Sequence, residues 1–294
     1  MLAKILALVA SGAIGCWGLM YPLVSRGADC HLSKVAEISV SERSKFLVFD
    51  VTIDGHPIKA AFGSGERIAE ISPELMPALA LERGSSQPPF SKGSAKILKM
   101  QIGNLTFGEI EAEPLSDETA LPSGVQLSLG PQVFGNLDME IDLSRNRLAL
   151  FKSDHCPDQV VYWAKEWFAM PYQLLGDATP GVQVEVNGHL MDAGLHLATA
   201  FTNITPAKAW GVQAEESHGG YVLDRLAFDG VALRHVTAGS LRVSIKENTG
   251  EISHTDAKTW HLPDLMIGRN ELKNLHLFVS RNDKKVFFTL ASDG

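Results

Sequence analysis

Hydrophobic and polar residues alternate along most of the chain after residue 45, in short runs separated by Gly, Asn, Asp and Ser. Runs with this period of two predict β-strands that bury one face. The dipeptides Asp54-Gly55 and Asn187-Gly188 each separate two such runs, and they are typical of two-residue hairpin turns. The pattern predicts an all-β protein built from short strands.

The strand pattern occurs twice. Segments 49–75 and 184–209 both contain an alternating strand, an Asx-Gly-His turn, a second strand, a corner, and a strand ending in Ile-Ser/Thr-Pro. The spacing between matched positions is constant, since 188 − 55, 204 − 71 and 206 − 73 all equal 133. An internal repeat with constant spacing predicts two homologous lobes.

Two further matches extend the repeat. Segment 96–115 matches 221–241, and segment 127–151 matches 265–290. We align the last pair through an apolar-apolar-Gly sequence and through hairpins at its two Ser-Arg-Asn sequences, 144–146 and 280–282. The resulting domains are a first lobe at 28–155, a linker segment at 156–169 and a second lobe at 170–294.

Few helices are expected. Ser72-Pro73 and Thr205-Pro206 are typical helix starts, and they predict short helices over 73–81 and 206–211. Between the lobes, apolar residues at 160, 161, 164, 167 and 168 fit one helical face that ends before Pro171. This segment is interpreted as an interdomain helix or strand that packs on both lobes.

The first 27 residues differ from the rest. They hold one Lys, about twenty apolar or small residues, and Arg26, which is typical of a secretory signal peptide cleaved after Gly27. An uncleaved anchor over residues 5–24 and a lipoprotein site at Cys16 are alternatives. Each predicts an exported protein, periplasmic or secreted, that contacts a membrane only through this N-terminal segment.

Charge and cysteine content indicate which partners and which cross-links to expect. The net charge is −8, and removal of 1–27 makes it 24 − 34 = −10. No basic stripe with aromatic residues occurs, which argues against nucleic acid as a partner. Cys30 and Cys156 predict a disulfide, since exported proteins usually pair their cysteines. A metal site with His31 and His155 is disfavoured, because adjacent residues of an extended chain point in opposite directions.

The repeated corner resembles the active-site motif of the aspartic peptidase superfamily, and the retropepsin-like bacterial proteins with two lobes are the nearest members. In that family an apolar strand runs into Asp-Thr/Ser-Gly in each lobe, and an apolar-apolar-Gly motif follows later. The resemblance covers nearly the whole chain after residue 27. It implies an all-β fold of two acid-protease β-barrel lobes with a few short helices.

Both aspartate positions of the motif are occupied by other residues. Gly63-Ser64-Gly65 stands at the first position, and His196-Leu197-Ala198 stands at the second, since 196 − 63 is again 133. The family's chemistry needs two carboxylates that share one proton. The sequence therefore predicts no catalytic residues at these positions, and neither a cofactor nor a metal is expected.

A groove between the lobes is still expected. Segments 88–96 and 216–223 lie at suitable distances to form glycine-tipped flaps, with Gly93, Gly219 and Gly220 at the tips. An extended peptide or protein segment could pair with strand edges there, and the net charge favours neutral or basic segments. The oligomeric state is not indicated.

Three functional hypotheses follow. The first is a non-catalytic protein that binds peptides or proteins. The second is an active endopeptidase that uses a shifted carboxylate, such as Glu66, or a partner chain. The third is a structural protein of the cell envelope with a filled groove.

Overall fold

The computed structural model describes residues 31–63, 69–79, 82–83, 95–115, 121–175, 178–217, 219–241 and 263–291. His31–Gly294 forms one compact unit. Among the described residues, no helix has the length and apolar character needed to cross a membrane. The predicted signal segment 1–27, with Cys16, lies outside the described residues.

The described part of the chain is dominated by short strands. The strands of the first lobe are β1 (Lys34–Ser39), β2 (Ser41–Arg43), β3 (Phe46–Ile53), β4 (His56–Phe62), β5 (Ala69–Ile71), β6 (Glu82–Arg83), β7 (Ala95–Ile97), β8 (Met100–Ile102), β9 (Leu105–Phe107), β10 (Ile110–Pro114), β11 (Leu127–Leu129), β12 (Leu137–Asp142) and β13 (Arg147–Lys152). The strands of the second lobe are β14 (Phe168–Leu174), β15 (Pro180–Val186), β16 (His189–Leu195), β17 (Thr202–Ile204), β18 (Glu215–Ser217), β19 (Gly220–Phe228), β20 (Val231–Ser240), β21 (Leu265–Ile267), β22 (Leu275–Ser280) and β23 (Lys285–Leu290). The helices are α1 (Leu75–Ala78), α2 (Pro206–Gly211) and α3 (Arg269–Leu272), and 3₁₀ turns lie at Pro131–Phe134 and Leu143–Arg145. The predicted fold class is confirmed.

The repeat is visible in the element bounds. Strands β4 and β5 recur as β16 and β17 at the predicted spacing, since 189 − 56 and 202 − 69 both equal 133. Strands β11, β12 and β13 recur as β21, β22 and β23 at a spacing of 138, from 265 − 127, 275 − 137 and 285 − 147. The spacing between matched strands is therefore 133 residues in the first half of each lobe and 138 residues in the second half.

The alignment through the two Ser-Arg-Asn sequences is wrong by two positions. Those sequences are 136 positions apart, whereas the structural offset of the two hairpins is 138. The left-handed residue of the first hairpin is Asn146, with φ 53°, and its counterpart is Lys284, with φ 51°. Because a tight turn requires a positive φ at one place, the turn geometry sets the equivalence and not the residue names.

The strands that end at the candidate site are fixed by parallel ladders. Strand β4 pairs in parallel with β11, which places Phe62 beside Leu129. Strand β16 pairs in parallel with β21, which places Leu195 beside Ile267. Strands β5 and β17 then pair antiparallel with β11 and β21. Each corner of the repeat is thus held between strands from both halves of its own lobe.

A continuous sheet joins the two lobes. Its order begins β1-β13-β12-β22-β23-β14 and continues into the second lobe through β15. The lobes meet at the antiparallel pair of β12 and β22, in which Met139 lies opposite Val279 and Ile141 opposite Leu277. Ile141, Leu277 and Val279 belong to the main buried hydrophobic cluster, which extends through both lobes. The shared sheet and core explain why residues after His31 form a single unit.

The predicted hairpin turns are confirmed. Asp54 and Gly55 have φ values of 47° and 90°, and Asn187 and Gly188 have values of 49° and 87°. Ladder pairs close directly on both sides of each dipeptide, as between Ile53 and His56. Positive φ at both turn positions suits Asx-Gly, and the resulting twist matches that of the flanking strands.

One of the two predicted short helices has the predicted bounds, and the other is shorter. The helix over 206–211 is confirmed, with Thr205 as its N-cap and Pro206 in its first turn. The helix predicted over 73–81 is shorter, Leu75–Ala78, and it is preceded by Glu74 and not by Ser72 as N-cap.

Of the helix and the strand expected between the lobes, only a strand forms, and it begins late in the segment. Residues 157–167 contain no helix, and strand β14 begins at Phe168, inside the predicted linker 156–169. Val160 is fully buried in a second cluster with Phe278 and Phe287 on the connecting sheet. The apolar residues follow the shape of the sheet that they cover, and this packing overrides the helical spacing.

Candidate functional site

Gly63 and His196 occupy equivalent positions at the ends of β4 and β16. The backbone N–H of Gly63 donates to the carbonyl oxygen of Leu129, and that of His196 donates to Ile267, each at 2.9 Å. Both residues line the same cavity between the lobes. The two corners of the repeat are therefore brought together, with glycine on one side and a buried imidazole, 5% exposed, on the other.

The cavity has a volume of about 60 Å³ and is mainly apolar. Its described lining comes from both lobes: Phe62, Gly63, Pro131, Phe134, Leu137, Met139, Ile141, Ala178, Thr179, Pro180, Leu195, His196, Leu197, Ala198, Leu272, Val279 and Arg281. No carboxylate is among these described lining residues. The polar side chains are a hydroxyl, an imidazole and a guanidinium, all able to donate hydrogen bonds.

The loop after His196 is held by a buried arginine. Arg269, at the start of α3, is 1% exposed. Its Nη1 donates to the carbonyl oxygen of Leu197 at 2.6 Å, and its Nη2 donates to the carbonyl oxygen of Lys45 at 2.9 Å. Nε lies 3.1 Å from a carboxylate oxygen of Glu42. Burial lowers the pKa of Arg269, although Glu42 opposes this shift, and a guanidinium stays charged regardless.

Gly268 packs too tightly for any side chain. A Cβ atom at this position would lie 2.4 Å from the carbonyl carbon of Phe201 and 2.8 Å from the carbonyl oxygen of Ala200. The apolar-apolar-Gly motif therefore ends in glycine because the chain after the site loop crosses directly over it. This contact fixes α3, and with it Arg269, beneath the loop.

A buried acid supports the same turn. The hydroxyl of Thr202 donates to the Glu271 carboxylate, and the backbone N–H of Gly268 donates to the Thr202 hydroxyl at 3.1 Å. Burial raises the pKa of Glu271, against the hydrogen bond from Thr202. Glu271 does not line the cavity, so it supports the loop and is no substitute for a missing aspartate.

Several predicted site residues lie outside the described residues. These are Ser64 and Gly65 of the first corner, the flap residue Gly93, the acid Glu66 and Cys30. The disulfide between Cys30 and Cys156 therefore remains a prediction. Leu197 and Ala198 are described and line the cavity together with His196.

The second flap candidate forms a hairpin. Strands β18 and β19 pair with Ser217 opposite Gly220, and Gly219, with φ 89°, lies in the turn. Strand β18 is the outermost strand of its sheet. Gly219 and Gly220 do not line the cavity, and their role as flap tips stays a prediction.

Sequence reasoning missed a row of acids on the outer face of the connecting sheet. Asp138, Glu140 and Asp142 alternate along β12 and are at most 2% exposed. In sequence these acids are indistinguishable from the solvent-facing side of an ordinary strand. Glu140 is covered by the segment after His155, with Tyr162 donating to it at 2.5 Å, and Asp138 lies against His155 itself.

Asp138, His155 and Ser280 have the composition of a catalytic triad but not its geometry. Nε2 of His155 lies 2.6 Å from an Asp138 oxygen and 3.2 Å from the Ser280 hydroxyl, while Nδ1 lies 2.9 Å from the carbonyl oxygen of Cys156. A triad needs the acid and the nucleophile on opposite ring nitrogens. This group is a buried structural network.

The neighbouring network holds the connecting segment in place. Glu140 accepts hydrogen bonds from Arg147 at 2.7 Å and His276 at 2.8 Å, and Trp163 stacks on His276 with ring centroids 4.0 Å apart. Burial would raise the pKa of Glu140, but the hydrogen bonds from His276 and Tyr162 and the charge of Arg147 lower it. Burial and the bond to Glu140 raise the pKa of Tyr162 to about 12.

The described residues do not form a metal-binding geometry. In the described ranges, no group of three or more His, Cys, Asp or Glu side chains could hold a metal ion. The cavity lining has one imidazole and no carboxylate or thiol among its described residues, so it lacks the ligands that such ions require.

The sequence matches no protein-family model and no curated protein. Among solved structures, it is similar to basic 7S globulin from soybean, with a TM-score of 0.51, 9% identity, and coverage of 88% of this chain and 97% of that chain. Conglutin gamma, a basic 7S globulin from lupine seeds, matches with a TM-score of 0.49 and 10% identity. The match covers 88% of this chain and 95% of that chain. The aspartic proteinase from Irpex lacteus matches with a TM-score of 0.49 and 10% identity. The match covers 88% of this chain and 98% of that chain. With the strand topology, the soybean likeness supports a two-lobed all-β fold shared with that protein; at this identity it shows the fold alone.

Proposed function

We propose that this protein is an exported, non-catalytic protein that binds an extended peptide segment in the cleft between its two lobes. The observation that carries the proposal is that Gly63 and His196 line the same cavity, whose described lining has no carboxylate. The fold keeps a cleft at the place where the resemblance implies two aspartates.

The chemistry of the cleft argues against peptide hydrolysis. Aspartic peptidases need one carboxylate as base on a water and a second as acid, with one proton shared. Gly63 supplies no side chain, and the described lining contains no carboxylate. Loss of a positioned acid or base costs roughly 10²–10⁴-fold in rate, and the described lining does not supply the pair of carboxylates.

The same lining suits an apolar guest. Side chains such as Met139, Leu197 and Val279 surround the cavity, and burial of apolar area there favours binding by about 25 cal/mol per Å². The volume of about 60 Å³ is smaller than a cavity of about 150 Å³ that takes benzene. The cavity therefore suits one short aliphatic side chain of a longer peptide.

A peptide panel tests this proposal. Fluorescent extended peptides that carry a Val, Leu or Ala anchor should bind the protein, whereas matched peptides with Asp, Lys or Ser in place of the anchor should bind weakly. Leu197→Glu, which places a charge in the cavity lining, should abolish binding. Leu190→Glu is the matched control, since Leu190 is 71% exposed and does not line this cavity.

The peptidase alternative is tested with the same panel. Incubation from acidic to neutral pH, with and without pepstatin, should leave all peptides intact by mass spectrometry. Cleavage that is lost on His196→Ala or Glu66→Gln would show that the protein is an enzyme. Failure of every anchor peptide to bind would contradict the proposal directly.

A further inference from the structure

The described polar side chains of the cleft cavity are a guanidinium, an imidazole and a hydroxyl, with no carboxylate among them. Arg281, His196 and Thr179 are the described lining residues with polar side chains. A cavity with paired aspartates would repel an anion, but the described lining offers an anion the Arg281 guanidinium in an apolar setting. Electrostatic interactions are stronger in such surroundings than in water.

Arg281 is both positioned and available. Its backbone N–H donates to Asp138 at 2.8 Å, and its Nε donates to the carbonyl oxygen of Leu137 at 3.0 Å. Within the described residues, the two Nη groups donate no hydrogen bond, and Arg281 forms no ion pair. The guanidinium is therefore oriented through one nitrogen and keeps two for a ligand.

Asp138, which accepts from the Arg281 backbone, does not neutralise the guanidinium through a direct side-chain contact. Both oxygens of Asp138 are already engaged: Oδ1 accepts from Ser153 at 2.7 Å and from the Arg281 backbone, and Oδ2 faces His155 at 2.6 Å. His155 lies with Asp138 on the outer face of the sheet, away from the apolar residues of the cavity. In the part of the chain that the structure describes, the guanidinium end of Arg281 has no carboxylate partner.

We infer that the cavity captures the free C-terminal carboxylate of a peptide whose last side chain is short and aliphatic. This inference rests on the proposed function and specifies which part of the peptide is recognised. Arg281 binds the carboxylate through its Nη groups, since guanidinium and carboxylate match in geometry. The last side chain fills the apolar cavity beside Leu197 and Val279.

The positive charge of Arg281 in the cavity is opposite in sign to the net charge of the chain. The total charge of −8 favours neutral or basic peptides at long range. Contacts within the cavity act over a few ångströms, well inside the screening length of about 8 Å at physiological salt. We therefore expect the main body of the peptide to be neutral or basic and its terminus to be the anionic group.

The test compares three probes by calorimetry. The first is a peptide that ends in valine with a free carboxylate, the second is the same peptide with a C-terminal amide, and the third is 3-methylbutanoate. The free acid should bind about tenfold to a hundredfold tighter than the amide. Arg281→Gln should remove this difference, and Arg281→Lys should keep part of it.

Controls separate recognition from folding. Arg234→Gln removes an exposed arginine on β20 and should leave the preference for the free acid unchanged. Circular dichroism and thermal unfolding establish that each variant is folded before binding is measured.

The outcomes distinguish the inference from the proposed function. Equal binding of acid and amide, both lost on Leu197→Glu, overturns the inference and leaves peptide binding standing. Arg281-dependent binding of 3-methylbutanoate without binding of either peptide supports the carboxylate site and contradicts the peptide function. If no probe binds, both are overturned.

Discussion

Nη1 of Arg269 donates a hydrogen bond of 2.6 Å to the carbonyl oxygen of Leu197, the residue that follows His196 in the cleft. Nη2 of the same side chain donates to the carbonyl oxygen of Lys45, in the turn between β2 and β3 of the first lobe. One buried guanidinium therefore joins the second-lobe site loop to the first lobe. The lobes are coupled at the cleft itself as well as through their shared sheet.

Replacement of this arginine should destabilise the protein. Arg269→Met keeps the aliphatic stem but leaves the carbonyl oxygens of Leu197 and Lys45 without these donors. Loss of the charge-assisted hydrogen bonds that the buried guanidinium donates costs roughly 3 kcal/mol. We expect that decrease in the free energy of unfolding, measured by urea denaturation.

The exposed partner of Arg269 provides the control. The side chain of Glu42 is 56% exposed, and exposed ion pairs contribute about 0–1 kcal/mol. Glu42→Gln should therefore change stability little. If Arg269→Met were as stable as the parent protein, or if Glu42→Gln were equally harmful, the backbone contacts would not be the source of the coupling.

Local patterns predicted much of the fold. Asp54-Gly55 and Asn187-Gly188 define their hairpins through their own φ preferences, and period-two alternation marks the strands on either side. These signals depend only on residues near in sequence. The constant spacing of 133 then placed Gly63 and His196 in equivalent corners, which the structure brings to one cavity.

Features that depend on distant contacts could not be predicted. Glu140 is an acid at a polar position of an alternating strand pattern, which is typical of a solvent-facing residue. It is nevertheless buried beneath Tyr162 and pairs with His276 across the lobes. Val160 and Val161 fit a helical face because helical spacing is a local criterion, whereas their position is set by the sheet beneath them. Arg269 gave no signal, because a single arginine in a sequence is most often a surface residue.

Substitution of Gly268 tests the close crossing of the chain behind the site. In Gly268→Ala the new Cβ would lie 2.4 Å from the backbone of Phe201, so that the chain must shift. Overpacking of this kind typically costs about 1–3 kcal/mol, which should lower the melting temperature by several degrees. Because the shift would move α3 and Arg269, peptide binding should weaken as well.

A second glycine shows whether added side-chain volume alone is harmful. A Cβ at Gly211, the last residue of α2, would have no heavy atom within 4 Å. Gly211→Ala should leave stability unchanged or raise it by up to about 1 kcal/mol, because alanine has the higher helix propensity. Equal melting temperatures for the two variants would contradict the packing derived for Gly268.

Glu271 should make stability fall as pH rises. Burial raises its pKa above the ordinary value of 4.5, so the folded state holds the proton more tightly than the unfolded state. From about pH 4.5 up to the folded-state pKa, the unfolded state releases its proton first and gains stability relative to the folded state. Glu271→Gln resembles the protonated acid in shape and can still accept the hydroxyl of Thr202. The variant should therefore be more stable than the parent protein at neutral pH, with a gap that closes below about pH 4.5.

Thermal unfolding across this pH range measures the gap. Glu74→Gln, at an exposed acid before α1, should give a profile parallel to that of the parent protein. A Glu271→Gln variant whose destabilisation grows as the pH rises above about 4.5 would mean that the ionised carboxylate is preferred in the folded state. The buried acid beside Gly268 would then stabilise the turn by its charge, and not merely as the acceptor of the Thr202 hydroxyl.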